Sequence, residues 1–296
     1  ERPPPNHRTE HTASMAEFTS AVYQNEFLPD GGTDVNAIVT IRCTGAGSAG
    51  RTGSGDAGEI VVVDTSGSMG VANMNAAKQA AMVALDHILD GTFFAVVAGN
   101  HKAYLAYPMV QTGAGMVRMD TRTRAEARRA ISFFRAEGGT AMGTWLNLCK
   151  ALFASIGNLA QKHVILLTDG ENHNETAQQL DQAIINCAGD FQVDARGVGV
   201  DWKVAEIRKI AQAMLGTVDI IGDPSQMGAV FAELMRNSMA RGVANADLRV
   251  WIPQGAQVMF IRQVSPTVED LTHRGTPVNQ LTMSYPTGAW ADEERD

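Results

Sequence analysis

The chain has 296 residues, room for one large α/β domain or for two domains of about 150 residues each. Apolar residues make up 45% and charged residues 19%, which excludes global disorder and a coiled-coil rod and leaves a packed globular protein. Lys and Arg number 24 against 32 Asp and Glu, so the net charge is −8. That balance supplies no broad basic surface, and nucleic acid is excluded as the expected partner.

Three cysteines, Cys43, Cys149 and Cys187, form no CxxC pair and are odd in number. Neither a disulfide scaffold nor a structural zinc site follows from them, and they read as small buried hydrophobes. The longest apolar run, Phe93 to Ala98, is strand-sized, far short of the ~20 residues of a membrane helix. Residues 1–14 are Pro-rich and charged and read as a disordered leader outside the fold; a first residue other than Met marks a fragment or a processed form. Without an export signal, the cytoplasm is the expected compartment.

Taken in order, residues 15–44 carry a β pattern. Val35, Ala37, Val39, Ile41 and Cys43 alternate after a turn at Leu28-Pro29-Asp30-Gly31-Gly32. Residues 45–57 are glycine-rich and read as a linker. From 58 to 241 strands and helices alternate. Ile60–Val63 and Val164–Leu167 are all-apolar, as strands buried on both faces are. Phe93–Val97 and Tyr104–Val110 suggest a hairpin around Gly99-Asn100-His101-Lys102.

Helical spacing places apolar stripes at Ala77, Ala81, Leu85 and Ile88, and at Ala127, Ala130, Ile131 and Phe134 behind a cap at Asp120. Further stripes run through Leu146, Cys149, Phe153 and Ile156, and through Ala177, Leu180, Ile184 and Cys187. Phe191–Val200 reads as a strand. A helix with Val204, Ile207, Ile210 and Met214 is capped by Asp201, a strand follows at Val218–Ile221, and a last helix runs from Asp223-Pro224 to about Arg241.

After residue 246 the β pattern returns. Leu248, Val250 and Ile252 are expected to pair through a Pro253-Gln254-Gly255 turn with Val258 and Phe260. Residues 291–296 read as a tail. The expected architecture is therefore a doubly wound, mostly parallel α/β sheet with helices on both faces, inserted into a small β-sandwich made by the N- and C-terminal segments.

The chemistry collects at strand ends, where such sheets bind ligands. Asp64-Thr65-Ser66-Gly67-Ser68 follows the first buried strand, Gly138-Gly139-Thr140 opens a helix, and Thr168-Asp169-Gly170 ends the second buried strand. Converging on one edge, Asp64, Ser66, Ser68, Thr140 and Asp169 offer hard oxygen atoms without His or Cys, a set suited to Mg²⁺, Mn²⁺ or Ca²⁺. His101, Asp120, Trp145, Glu171 and His173 lie on adjoining segments and are candidates for a rim. Each has an alternative as an ordinary loop residue, and the Asp64–Ser68 turn has one as a helix cap.

These three pieces, in this order and spacing, resemble the von Willebrand factor type A domain with its metal-ion-dependent adhesion site over residues 58–241. The layout with flanking β segments is similar to that of actinobacterial cytoplasmic proteins. The resemblance implies that the hydroxyls of Ser66, Ser68 and Thr140 touch a divalent cation, Mg²⁺ first, while Asp64 and Asp169 act partly through water. It implies an open position for an Asp or Glu of a partner protein, no catalysis, and a last helix (224–241) that switches by analogy with other members. Composition says nothing of the oligomeric state.

Competing readings fare worse on the residues. Gly45-Ala46-Gly47-Ser48-Ala49-Gly50 spells GxGxxG but lacks the following helix, and no GxxxxGK[ST] occurs. A phosphotransferase using Asp64 as nucleophile needs an acid two residues later, where Ser66 stands. Ser66 or Ser68 as nucleophile needs a base, and neither His163 nor His173 has a motif that places it there. A metal-independent scaffold is the remaining alternative.

Overall fold

The computed structural model describes residues 16–25, 27–47, 56–109, 115–169, 172–198, 204–221, 227–266 and 268–296. The leader 1–14, the centre of the linker, Glu171, and the expected helix starts at Asp201 and Pro224 lie outside the described residues.

The first antiparallel pair is β1 (Glu17–Gln24) with β2 (Ala37–Thr44), Phe18 opposite Cys43, and the turn between them closes with Gly32 N–H donating to Pro29 O at 2.8 Å. The central sheet starts at β3 (Asp56–Asp64), two residues inside the expected linker. Then come α1 (Gly70–His87), β4 (Phe93–Gly99), β5 (Ala103–Tyr107), the short β6 (Val117–Arg118), α2 (Thr121–Ser132) and α3 (Met142–Ala154). β7 (Leu159–Thr168), α4 (Ala177–Cys187), β8 (Gln192–Val198), α5 (Val204–Ala213), β9 (Val218–Ile221) and α6 (Met227–Ala240) complete it.

Strand order is β5-β4-β3-β7-β8-β9, with β6 on the start of β4. β3, β4, β7, β8 and β9 run parallel, and only β5 and β6 are antiparallel. The alternation of side chains along the strands sorts the core. Val61, Val63, Ile165 and Leu167 face α1, α2 and α6, whereas Ile60, Val62, Val164 and Leu166 face α3, α4 and α5. All three cysteines are free and buried, as small hydrophobes are.

From β3 the chain first adds β4 on one side, then crosses to add β7 on the other. The carboxyl ends of β3 and β7 therefore flank the topological switch point, where an open α/β sheet leaves a crevice.

The terminal β segments differ from expectation in two places. β10 (Val243–Trp251) does not turn back onto Val258 and Phe260; it pairs with β14 (Thr282–Trp290), Leu248 opposite Tyr285. Met259 and Phe260 are exposed in irregular chain, so local alternation lost to a more distant partner whose Tyr285 and Trp290 bury fully. Between them lie β11 (Arg262–Gln263), β12 (Glu269–Asp270) and β13 (Thr276–Asn279), the last on the edge of β14.

Residues 291–296 are not a tail. β15 (Glu293–Arg295) adds to β2, giving the order β1-β2-β15, and Ala46 N–H donates to Asp292 Oδ1 at 2.7 Å. Cys43, Ala46 and Trp290 form the small core that joins the first and last segments, with Phe18 edge-on to Trp290. Among the described residues no helix is long and apolar enough to cross a membrane.

Candidate metal centre

The apolar run of β3 delivers Asp64 to the sheet edge, where the chain must leave the strand. Asp64 is wholly buried. Its Oδ1 accepts from Ser66 N–H at 2.7 Å, folding the next residues back over it, and its Oδ2 accepts from Thr168 Oγ at 2.6 Å, the last residue of β7. Ser66 is buried and Ser68 exposed, and their hydroxyl oxygens lie 3.0 Å apart at the head of a short 3-10 turn, Gly67–Met69.

The second piece is tied to the first by backbone bonds. Gly67 N–H donates to Gly138 O and Glu137 N–H to Thr65 O, both at 2.8 Å. Gly138 has φ of +75°, a conformation that favours glycine, and a Cβ there would press on the His101 ring. A Cβ on Gly139 would overlap Asn174 Oδ1, the atom that accepts from Thr140 N–H at 3.1 Å. Thr140 O accepts from the backbone of Asn174 at 2.8 Å and of His173 at 3.2 Å. Thr140 is thus clamped between the turn after β3 and the segment after β7.

Two features describe what this pocket of oxygens is ready for. Thr140 Oγ is fully buried and has no hydrogen-bond partner among the described residues. A buried hydroxyl left without a partner costs about 1–3 kcal/mol, so its position calls for a group that is not among the described residues. Burial also pushes the Asp64 carboxyl up to about 6, with the neighbouring Asp169 adding to the rise and the bonds from Ser66 and Thr168 opposing it. Asp64 has no cationic side chain paired with it among the described residues. Neutral hydroxyls beside two buried carboxylates, Asp64 and Asp169, fit a divalent cation; equally, no group of three or more His, Cys, Asp or Glu with metal-holding geometry occurs among the described residues.

The rim residues separate. His101 and His173 are exposed beside Gly138 and Thr140. Trp145 is not a rim residue: it is 1% exposed, fills the core under β4, and donates from Nε1 to Asn100 O at 2.9 Å. Gly99 leaves room for that indole, since a Cβ there would overlap it. Asp120 caps α2 through Thr123 N–H at 2.7 Å, next to β6 and hence at the opposite edge of the sheet.

Sequence reasoning did not find Asn174 and Glu175. Asn174 orients Thr140, and Glu175 accepts from Gly143 N–H at 2.8 Å, closing an open N–H in the first turn of α3. The only signal for them was proximity in sequence to Asp169.

A family model described as the von Willebrand factor type A domain matches residues 59–220. A solved von Willebrand factor type A protein from Catenulispora acidiphila superposes with a TM-score of 0.87 at 41% identity, covering 98% of this chain and 66% of that one. An uncharacterised protein of Synechocystis sp. is 29% identical over 216 residues, 72% of this chain and 49% of its own length. The chain thus spans about half the length of that curated relative. A family model covering more than half of the chain, on a sheet with the same switch point and helices on both faces, settles the family: this chain belongs to the von Willebrand factor type A domains.

Proposed function

We propose that this protein is a divalent-cation-dependent protein-interaction module whose partner presents an Asp or Glu. Domains of this family commonly serve as metal-dependent adhesion or interaction modules and are generally non-catalytic. The observation that carries the reading is the orphaned, fully buried hydroxyl of Thr140 beside Asp64 and the paired hydroxyls of Ser66 and Ser68. Ser66, Ser68 and Thr140 would hold the cation, with Asp64 and Asp169 behind them, and Mg²⁺ suits the set better than zinc.

The cation supplies Lewis acidity and positive charge that this oxygen set only partly offsets. The residues of the chain do the rest. Thr168 and Ser66 N–H fix both oxygens of Asp64, so it orients hydroxyls rather than moving. Asn174 and the Gly138-Gly139 backbone hold Thr140 in place. Ser68, exposed at the turn, marks the side from which a partner carboxylate arrives. With a net charge of −8 the protein has no long-range pull on an acidic partner, so attraction is local and short-ranged.

Catalysis through Asp64 is disfavoured by the same geometry: the carboxylate is wholly buried and both oxygens are held by hydrogen bonds that fix its orientation. His163 is no base for Ser66 or Ser68, because it sits five residues before the end of β7, roughly 16 Å along the strand.

The test is a thermal-unfolding series with Mg²⁺ or Mn²⁺ against EDTA on the wild type and Asp64→Ala, followed by partner capture with Ser68→Ala. A cation-induced stabilisation that survives Asp64→Ala, or partner capture indifferent to EDTA, would overturn the reading.

A further inference from the structure

At the amino ends of the same strands lies a second polar cluster that the metal centre does not use. Glu59 on β3, His163 on β7, Asp194 on β8 and Ser238 in the last turn of α6 are each less than 6% exposed. His163 Nδ1 lies 2.8 Å from Glu59 Oε2 and 2.9 Å from Ser238 Oγ, while its Nε2 lies 2.9 Å from Asp194 Oδ2. Ser238 Oγ donates to Glu59 Oε1 at 2.7 Å, so it turns a lone pair toward the ring.

Both ring nitrogens thus face carboxylate oxygens. A neutral imidazole carries one N–H, and in either tautomer it would set a bare nitrogen lone pair against a buried carboxylate. With both carboxylates ionised, only the doubly protonated ring satisfies both of them, and it sets a positive charge directly between the two.

The surrounding charges agree. Arg241, just beyond α6, reaches Asp194 Oδ2 at 3.3 Å, and its carbonyl accepts from Gln161 on β7. Arg196 on β8 lies nearly buried beside Asp194 and interacts with Asp219 on β9. Asp194 Oδ1 accepts from Thr217 N–H at 2.6 Å and Thr217 Oγ at 2.8 Å.

We propose that His163 is a structural cation at neutral pH, an imidazolium pin that fastens the end of α6, and through Arg241 the entry into β10, to β3, β7 and β8. It makes the junction between the α/β domain and the terminal β segments a pH-sensitive latch. Burial pulls the His163 pKa down, but Glu59 and Asp194 outweigh it and hold it near 9, above its ordinary 6.5. The sign follows: a raised folded pKa gives stabilisation that is complete below about pH 6.5 and is lost as pH rises through 9.

Imidazole ¹H–¹⁵N NMR on the whole chain at pH 8 tests the pin, with protons expected on both Nδ1 and Nε2 of His163. A ring with one protonated nitrogen at pH 8 overturns the proposal. Hydrogen exchange tests the latch, with protection normalised to α1. Ser238→Ala removes one small hydroxyl and leaves the ring between its carboxylates, so the doubly protonated signal should persist while protection of residues 235–241 falls at least tenfold at pH 7. Wild type taken from pH 7 to 9.5 should lose protection over the same residues and the start of β10. Unchanged protection of that segment in either experiment sinks the latch, whatever His163→Gln does to folding.

Discussion

The central sheet buries carboxylates toward both ends of its parallel strands, under opposite arrangements. At the amino end Glu59 and Asp194 meet His163, Arg241 and Arg196, and hydrogen bonds from Ser238 and Thr217 complete the set. At the carboxyl end Asp64 meets Ser66, the Thr168 hydroxyl and the like charge of Asp169 but no cationic side chain among the described residues, and Thr140 Oγ meets nothing described. The first cluster is complete in charge, because each of its carboxylates meets a cationic side chain, although Arg196 Nε and Arg241 Nη1 have no partner among the described residues. The second is incomplete in charge among the described residues, which is what supports reading it as the binding end. Burial alone does not tell a structural cluster from a candidate binding site; whether each buried carboxylate meets a cationic side chain does.

That contrast can be broken by measurement. The largest effect belongs to the complete end: Asp194→Ala strands His163 and Arg241 without their shared carboxylate, and equilibrium denaturation should show a loss of about 3–5 kcal/mol. A loss below 1 kcal/mol would mean that the cluster is not the dry network described. At the incomplete end, saturating Mg²⁺ should stabilise the wild type by about 2.7 kcal/mol at one hundred times Kd and Asp64→Ala not at all. Calorimetry with and without EDTA reads both arms.

Gly139→Ala drives a Cβ onto Asn174 Oδ1 and displaces the group that orients Thr140. A cost of about 1–3 kcal/mol is expected, together with loss of the cation response. Smallest is Ser68→Ala. Ser68 is exposed and its hydroxyl bonds to Ser66 alone among the described residues, so denaturation without metal should change by at most about 0.5 kcal/mol, while the Mg²⁺-induced shift in Tm falls. A Ser68→Ala protein destabilised as much as Asp194→Ala would erase the difference between the two ends.

Much of the candidate site was legible because its residues are punctuation in apolar runs. Asp64 stops Val61-Val62-Val63, and Thr168-Asp169 stops Val164–Leu167. Thr140 stood out through the glycines before it, whose reason is now visible: Gly138 takes positive φ and Gly139 leaves space for Asn174. Trp145 misled because a polar-edged aromatic near a loop reads as surface, while the structure spends it on the core behind Gly99.

The second cluster also had a signal. Glu59 and His163 are the charged or titratable residues immediately before the two most apolar strands, and Asp194 sits inside a third. The cluster itself was not legible, because no spacing announces that Ser238 and Arg241, far along the chain, will close over them.

Local pattern in the sequence was enough for the alternation of strands and helices, the parallel sheet, and the residue types at each strand end, because strand burial and helix periodicity act over a few neighbours. Partner choice was decided only in three dimensions. That β10 takes β14 rather than the nearby Val258–Phe260, that Glu293–Arg295 completes a sheet begun at Glu17, and that His163 is pinned between two carboxylates all depend on contacts across tens to hundreds of residues. Such contacts form where the most apolar surface is buried and the last buried charge is paired, and neither quantity is a property of any short stretch of chain.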